Sequence, residues 1–328
     1  MRDEKTRVFI VGLGLIGGSL GLALRASGRY TATGFDADEP SLDRAVAIGA
    51  IDHAASSMAE AAGADLAVVA TPLLAMPSVF AELGSHLRER RGRSFGSPGT
   101  VVTDVGSAKG FVMAHARQHF APDIPFVGGH PLAGSEHQGI EHAAASLFTG
   151  CRYVLTPGEW AGANAVSRVT EACKAAGAIA QIMDPHDHDA MVAATSHLPL
   201  VVAACVANVV GRRAEAFPSI WDMAASGFRD TTRVASGSPE MGAGMLTANC
   251  ARVLDALDEF QVEMDRIRRQ IEAVLSGTSP ASFGEVETFL SRARAHRQIW
   301  LDLKERTRAS ERGTSEKGGV NAWLSPMH

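Results

Sequence analysis

The chain has 328 residues, with 31 Lys+Arg against 36 Asp+Glu and a formal charge of −5 at pH 7. That length predicts about two domains with ample core, and the mild acidity argues against nucleic-acid binding, which calls for a basic stripe. Cys151, Cys173, Cys205 and Cys250 stand far apart with no C-x-x-C, which fits a reducing compartment and neither a disulfide framework nor a zinc site.

The N-terminus is charged and runs straight into Val8-Phe9-Ile10-Val11, a buried strand, so no signal peptide is expected. A Gly-rich turn and an apolar helix from about Gly18 to Ser27 follow. Thr31–Phe35, Leu66–Ala70 and Thr100–Asp104 read as further strands. Phe126–Gly128, Tyr153–Leu155 and Ile179–Met183 are shorter candidates. Strands alternating with helices predict a mainly parallel sheet covered on both faces. Beyond Pro185 the pattern turns helical, over His188–Arg213, Glu240–Val274 and Glu285–Arg308. The expected organisation is an α/β, Rossmann-type doubly wound domain over 1–185, an all-α domain over 186–308 and a polar, mobile tail over 309–328. No uncharged apolar run is read as long enough for a membrane span, and a cytoplasmic location without membrane or nucleic-acid partners is expected.

Gly12-Leu13-Gly14-Leu15-Ile16-Gly17 is a G-x-G-x-x-G with a strand before it, a helix after it and Asp36 at the end of the second strand. In that context Gly12 permits the tight turn, Gly14 lets backbone approach a pyrophosphate, and Gly17 allows close helix–strand packing. The helix N-terminus at Leu15 and Ile16 faces the phosphate charge. A carboxylate at Asp36 accepts from both ribose hydroxyls and repels a 2′-phosphate, so NAD is expected rather than NADP. Thr71-Pro72 ends the third predicted strand, where such a sheet presents its crevice to ligand; an ordinary strand-end turn fits the same residues.

Three segments put hydroxyl, imidazole or guanidinium groups among glycines. They are Asp104-Val105-Gly106-Ser107-Ala108-Lys109, Gly128-Gly129-His130-Pro131-Leu132-Ala133-Gly134-Ser135-Glu136 and Ser226-Gly227-Phe228-Arg229-Asp230-Thr231-Thr232-Arg233. Together with the G-x-G-x-x-G and Thr195-Ser196-His197-Leu198-Pro199, they resemble the prephenate/arogenate dehydrogenase family of tyrosine biosynthesis, in order from about residue 7 to 270. The resemblance implies hydride transfer to NAD coupled to decarboxylation of a cyclohexadiene, and a C-terminal domain that forms a homodimer. It implies that His130 polarises the substrate's C4 hydroxyl, a task suited to a side chain titrating near neutrality, and that Ser107 bonds the same hydroxyl. Arg233 matches an arginine that anchors a substrate carboxylate. Glu136, Ser135, His197 and Gly227 match pocket residues.

Other polar residues receive structural readings. Lys109 reads as a first-turn surface lysine in preference to a phosphate contact, Arg229 with Asp230 as an ion pair, and His137 and His142 as surface groups. His186-Asp187-His188-Asp189 looks metal-like but reads as a solvated helix cap, and no metal site is predicted.

Two positions depart from the family pattern: Leu200 stands where most members place a histidine, and Gly242 where the usual residue is tryptophan. Both belong to the end of the pocket that holds the substrate side chain. A polar substrate group buried there without its partner costs about 1–3 kcal/mol, enough to shift preference by one to two decades. The runner-up substrate is therefore 4-amino-4-deoxyprephenate, oxidised toward 4-aminophenylpyruvate in a specialised pathway. A β-hydroxyacid dehydrogenase or imine reductase is disfavoured because no lysine lies between His186 and Gly211. A non-catalytic NAD-responsive protein is disfavoured by the presence of His130 and Arg233. No appended regulatory domain is expected.

Overall fold

The computed structural model describes residues 5–91, 99–134, 137–276 and 282–316. In chain order the elements are β1 (Thr6–Val11), α1 (Leu15–Ala26), β2 (Tyr30–Phe35), α2 (Glu39–Ala47), β3 (His53–Ala54), β4 (Leu66–Val69), α3 (Met76–Arg91), β5 (Val101–Asp104), α4 (Lys109–Phe120) and β6 (Phe126–Pro131). Then come β7 (Arg152–Pro157), α5 (Ala163–Ala175), β8 (Ile179–Ile182), α6 (Pro185–Val192), α7 (Leu198–Ala214), α8 (Ser226–Thr232), α9 (Pro239–Ala248), α10 (Cys250–Leu275) and α11 (Ser282–Glu316).

The eight strands form one sheet in the order β3-β2-β1-β4-β5-β6-β7-β8. Every neighbouring pair is parallel except β6 with β7, which is antiparallel. Alternation along β1 explains the double cover: Val8 and Ile10 join the apolar cluster on one face, with Leu20 and Leu24 of α1. Phe9 and Val11 join the other, with Phe80 of α3 and Phe120 of α4. Chain order reverses between β1 and β4, so the carboxyl ends of these two strands open a crevice.

After β8 the chain becomes helical at Pro185, where Asp184 caps α6 by accepting from the His186 and Asp187 N–H groups. Between α6 and α7, residues Ala193–His197 make a π turn. Two local causes are visible. Pro199 has no N–H to return to the preceding turn, and the Thr195 hydroxyl donates to the Met191 carbonyl at 2.7 Å. The joined helix Pro185–Ala214 is long and apolar enough, by length and composition, to cross a membrane. That corrects the expectation that no such run exists. Only 22% of its most apolar window is buried, so the single chain leaves much of this helix uncovered.

Contacts divide the chain into two compact units, Met1–Ala256 and Leu257–His328, so the sheet and α6–α9 belong to one unit. In the second unit α11 continues to Glu316, so residues 309–316 are helical where an aperiodic tail was expected.

Candidate active site

The glycine motif sits at the crevice. Gly12 adopts φ +92°, and a Cβ there would lie 2.7 Å from the Ala70 carbonyl. A Cβ on Gly17 would lie 1.9 Å from the Gly12 oxygen, so α1 starts tightly against the turn. At Gly14 the space is open, with no atom within 4 Å of a Cβ position. No side chain caps α1, which leaves the first-turn N–H groups around Leu15 and Ile16 for an anion. Asp36 accepts from the N–H groups of Leu13 (2.6 Å) and Asp38 (2.9 Å), fixing its carboxylate beside the motif. Across the crevice, Thr71 follows β4 with its hydroxyl oxygen buried and unpartnered, and Pro72 opens the turn Leu73–Ala75. An open phosphate cradle, an orphaned hydroxyl and a fixed acid together fit a dinucleotide.

β5 and β6 are parallel neighbours, and their carboxyl ends bring Ser107 and His130 to the same edge of the sheet. Beneath them lies a buried ion pair. Asp104 accepts from Lys109 Nζ (2.6 Å) and from the N–H groups of Gly106 (2.6 Å) and Gly129 (2.9 Å). Lys109 Nζ also donates to the Gly129 carbonyl at 2.5 Å. Both side chains are fully buried, which corrects the surface reading of Lys109: the first residue of α4 faces inward, where only paired acceptors make an ammonium tolerable. Burial pushes its pKa down, against the pull of Asp104 and Asp189.

His188 and Asp189, read as part of a solvated cap, are likewise buried. The cap is Asp184, while His186 and Asp187 stay exposed. Asp189 accepts from the Lys109 and Gly110 N–H groups, both at 2.7 Å, and so closes the N-terminus of α4, which has no cap from its own preceding residue. His188 Nδ1 lies 2.8 Å from Asp189 Oδ1, and His188 Nε2 lies 2.8 Å from His130 Nδ1. His130 itself is half-buried. Its pKa is held well below the ordinary 6.5, first by burial and then by Lys109, His188 and His197. His197, in the π turn, is buried with Nδ1 at 3.3 Å from Asn249 Nδ2, which also donates to the Asp189 carbonyl at 2.9 Å. Burial pushes the His197 pKa down, opposed by Asp189.

The remaining predicted residues lie around this network or outside it. Gly227 is exposed in the first turn of α8, which Phe228 pins by an edge contact to Trp221. Arg233 is exposed where α8 passes into a 3₁₀ turn packed on α7. Arg229 and Asp230 form the expected ion pair at 2.9 Å. Ser135 and Glu136 lie outside the described residues. Leu200 and Gly242 meet: a Cβ on Gly242 would lie 3.3 Å from Leu200 Cδ2. The two departures from the family pattern are thus one contact between α7 and α9. Gly244 of α9 in turn abuts Leu74, just past Thr71-Pro72, so this apolar wall adjoins the dinucleotide crevice.

Sequence profiles described as the nucleotide-binding domain and the dimerization domain of prephenate dehydrogenase match residues 20–182 and 184–279. Prephenate dehydrogenase of Bacillus subtilis is 34% identical over 275 residues, covering 83% of this chain and 72% of that protein. The solved structure of Synechocystis arogenate dehydrogenase superposes with a TM-score of 0.73 at 30% identity, covering 90% of this chain and 100% of that one. Prephenate dehydrogenase from A. aeolicus, solved with hydroxyphenyl propionate and NAD+, gives 0.77 at 26% identity, over 91% and 99%.

Proposed function

This chain belongs to the prephenate dehydrogenase family, and on that premise we propose that it oxidatively decarboxylates prephenate or arogenate. The product is 4-hydroxyphenylpyruvate or tyrosine. The observation that carries the reading is the half-buried His130, joined to His188 at 2.8 Å and set on the same sheet edge as Ser107, at the carboxyl ends of β5 and β6. Gly12, Gly14, Gly17, Asp36, Thr71 and Pro72 would hold NAD. When bound, NAD accepts the hydride from C4 of the substrate ring.

The chain's own residues handle the proton and the charges. His130 Nδ1 is engaged by His188, which leaves Nε2 for the C4 hydroxyl. As the C4–H pair departs, Nε2 takes the hydroxyl proton and C4–O becomes a neutral carbonyl. The bond from C1 to the carboxylate then breaks, CO₂ leaves, and its electron pair makes the ring aromatic. The proton returns from Nε2 to the phenolic oxygen, so no net proton is consumed. Ser107 bonds the same hydroxyl, and Arg233 holds a substrate carboxylate through a charge-assisted pair. In this reading Ser135 and Glu136 would contribute to recognition of the substrate.

The second reading, 4-amino-4-deoxyprephenate, rests on the two departures from the family pattern, Leu200 and Gly242. Leu200 fills the space over Gly242, so the wall has neither the imidazole nor the indole that the family pattern places there. The hydride still leaves C4, and that carbon carries an amine in place of the hydroxyl, so His130 takes its proton from nitrogen. The enzyme is taken as a cytoplasmic homodimer: the matched C-terminal profile describes a dimerization domain, and the uncovered face of α7 offers a second copy an apolar surface.

The test is NADH formation with prephenate, arogenate and the 4-amino analogue in turn. The highest kcat/KM on prephenate or arogenate supports the leading reading. Efficient use of the amino analogue alone selects the second, and turnover of none refutes both.

A further inference from the structure

Resting on the reading of His130 as the base, we propose that His188 and Asp189 are positioning residues that fix His130 in the tautomer with its proton on Nδ1. The Nε2 lone pair is thereby presented to the substrate, and neither partner touches the reacting atoms. The geometry runs in one direction. Asp189 has both oxygens committed as acceptors, toward the Lys109 and Gly110 N–H groups and toward His188 Nδ1. A carboxylate can only accept, so His188 Nδ1 carries a proton and its neutral form has an acceptor at Nε2. That acceptor lies 2.8 Å from His130 Nδ1, which must donate to it. His130 Nε2 is then the unprotonated nitrogen.

When Nε2 takes the hydroxyl proton, the charge on His130 is carried by a hydrogen bond into His188 and on toward Asp189. The proton bound to Nδ1 does not transfer. The other charged or titratable groups facing His130 are Lys109 from α4 and His197 from the π turn. Lys109 is neutralised by Asp104 of β5, and His197 is buried beside Asn249. Asp189 is thus the anion that the chain of hydrogen bonds connects to His130. Because the same carboxylate closes the N-terminus of α4, it also ties the relay to the loop that carries Ser107.

An opposite assignment exists and behaves differently. If His188 were a cation donating from Nε2, His130 would accept at Nδ1 and carry its proton on Nε2, and it could not act as a base. Removing that cation would make His130 easier to protonate, whereas removing a neutral acceptor makes it harder.

The test compares His188→Phe with His188→Gln in the full chain, with the kcat–pH profile under saturating NAD and substrate. His188→Phe removes the acceptor, so kcat falls by about 10²-fold and the acidic limb moves to lower pH by about one pH unit, the worth of one hydrogen bond to a charged group. His188→Gln restores an acceptor through its amide oxygen and recovers a large part of kcat. In parallel, ¹⁵N-histidine NMR of the wild-type chain shows His130, identified by its loss in His130→Gln, protonated at Nδ1. A limb that moves to higher pH in His188→Phe, or His130 protonated at Nε2, overturns the relay. If His188→Phe does not fold, the NMR tautomer decides alone. Wild-type turnover in His130→Ala would sink the base reading itself. An inactive His130→Ala beside a His188→Phe of unchanged kcat and pH profile would sink only the relay.

Discussion

Replacing Lys109 by Met puts a magnitude on the buried pair beneath the site. The side chain keeps nearly the same length but loses its ammonium, so Asp104 keeps two backbone N–H donors and loses its counter-charge in a fully buried place. The Gly129 carbonyl loses its donor as well. Removing one partner of a buried pair costs about 3–5 kcal/mol. For a unit of this size each kcal/mol moves the midpoint by about 2–4 °C, which gives a fall in Tm of about 6–20 °C. Urea unfolding followed by circular dichroism measures the free energy directly. Adding Asp104→Asn to Lys109→Met removes the stranded charge while one amide oxygen still accepts, so the double variant regains part of the loss. A Lys109→Met cost below about 1 kcal/mol would refute the reasoning, because that is the value of an exposed pair. So would a double variant less stable than the single.

Gly17→Ala forces a methyl within 1.9 Å of the Gly12 oxygen, so the turn must shift; NAD affinity measured by fluorescence titration should fall at least tenfold, and unchanged affinity would remove this contact from the cofactor site. Arg233→Ala should raise KM for the substrate more than it lowers kcat, and a KM equal to wild type would end the carboxylate-anchor role. Stability should decline as pH falls below about 6.5, because the unfolded chain takes up protons that native His130 and His197, both held below their ordinary pKa of 6.5, refuse. The native state binds fewer protons in that window, so stability rises with pH up to it. Urea midpoints between about pH 5 and pH 7.5 check this, and a midpoint independent of pH would contradict the burial of both imidazoles.

The parts of the fold that local chemistry determines were legible. Val8–Val11 reads as a strand because its apolar run is short and β-branched, and Gly12–Gly17 reads as a phosphate turn because a strand precedes it, a helix follows it and an acidic residue ends the next strand. Asp36 follows from the same topology, whereas Thr71-Pro72 reads equally well as an ordinary strand-end turn. Lys109, His188 and Asp189 were misread because their meaning is long-range. Asp189 closes a helix 80 residues earlier in the chain, and nothing beside it in sequence announces that. An H-x-H-D string at a helix start looks solvated until the strand carrying His130 is placed against it. The π turn escaped for a related reason: a proline inside a helical pattern signals a local fault, without saying whether the chain will kink, break or take in an extra residue. Leu200 and Gly242 were visible as separate departures, and only the packing of α7 on α9 made them one contact.

That extra residue has a consequence for everything after it. A standard helix advances about 100° per residue, so one residue accommodated in a wider turn resets the angular phase of the following segment. In Ala193–His197 the insertion lets His188 face the sheet from α6 and His197 face Asn249, while α7 starts on its own heading. Deleting Ala194 would restore ordinary winding and a better backbone ladder. It would leave Leu200 and the outer face of α7 on their present heading, whereas winding all the residues present as an ordinary helix would swing them by about 100° relative to His188. The wider turn acts as a clutch between two halves of one rod, setting independently which side chains look inward at chemistry and which look outward at a neighbour.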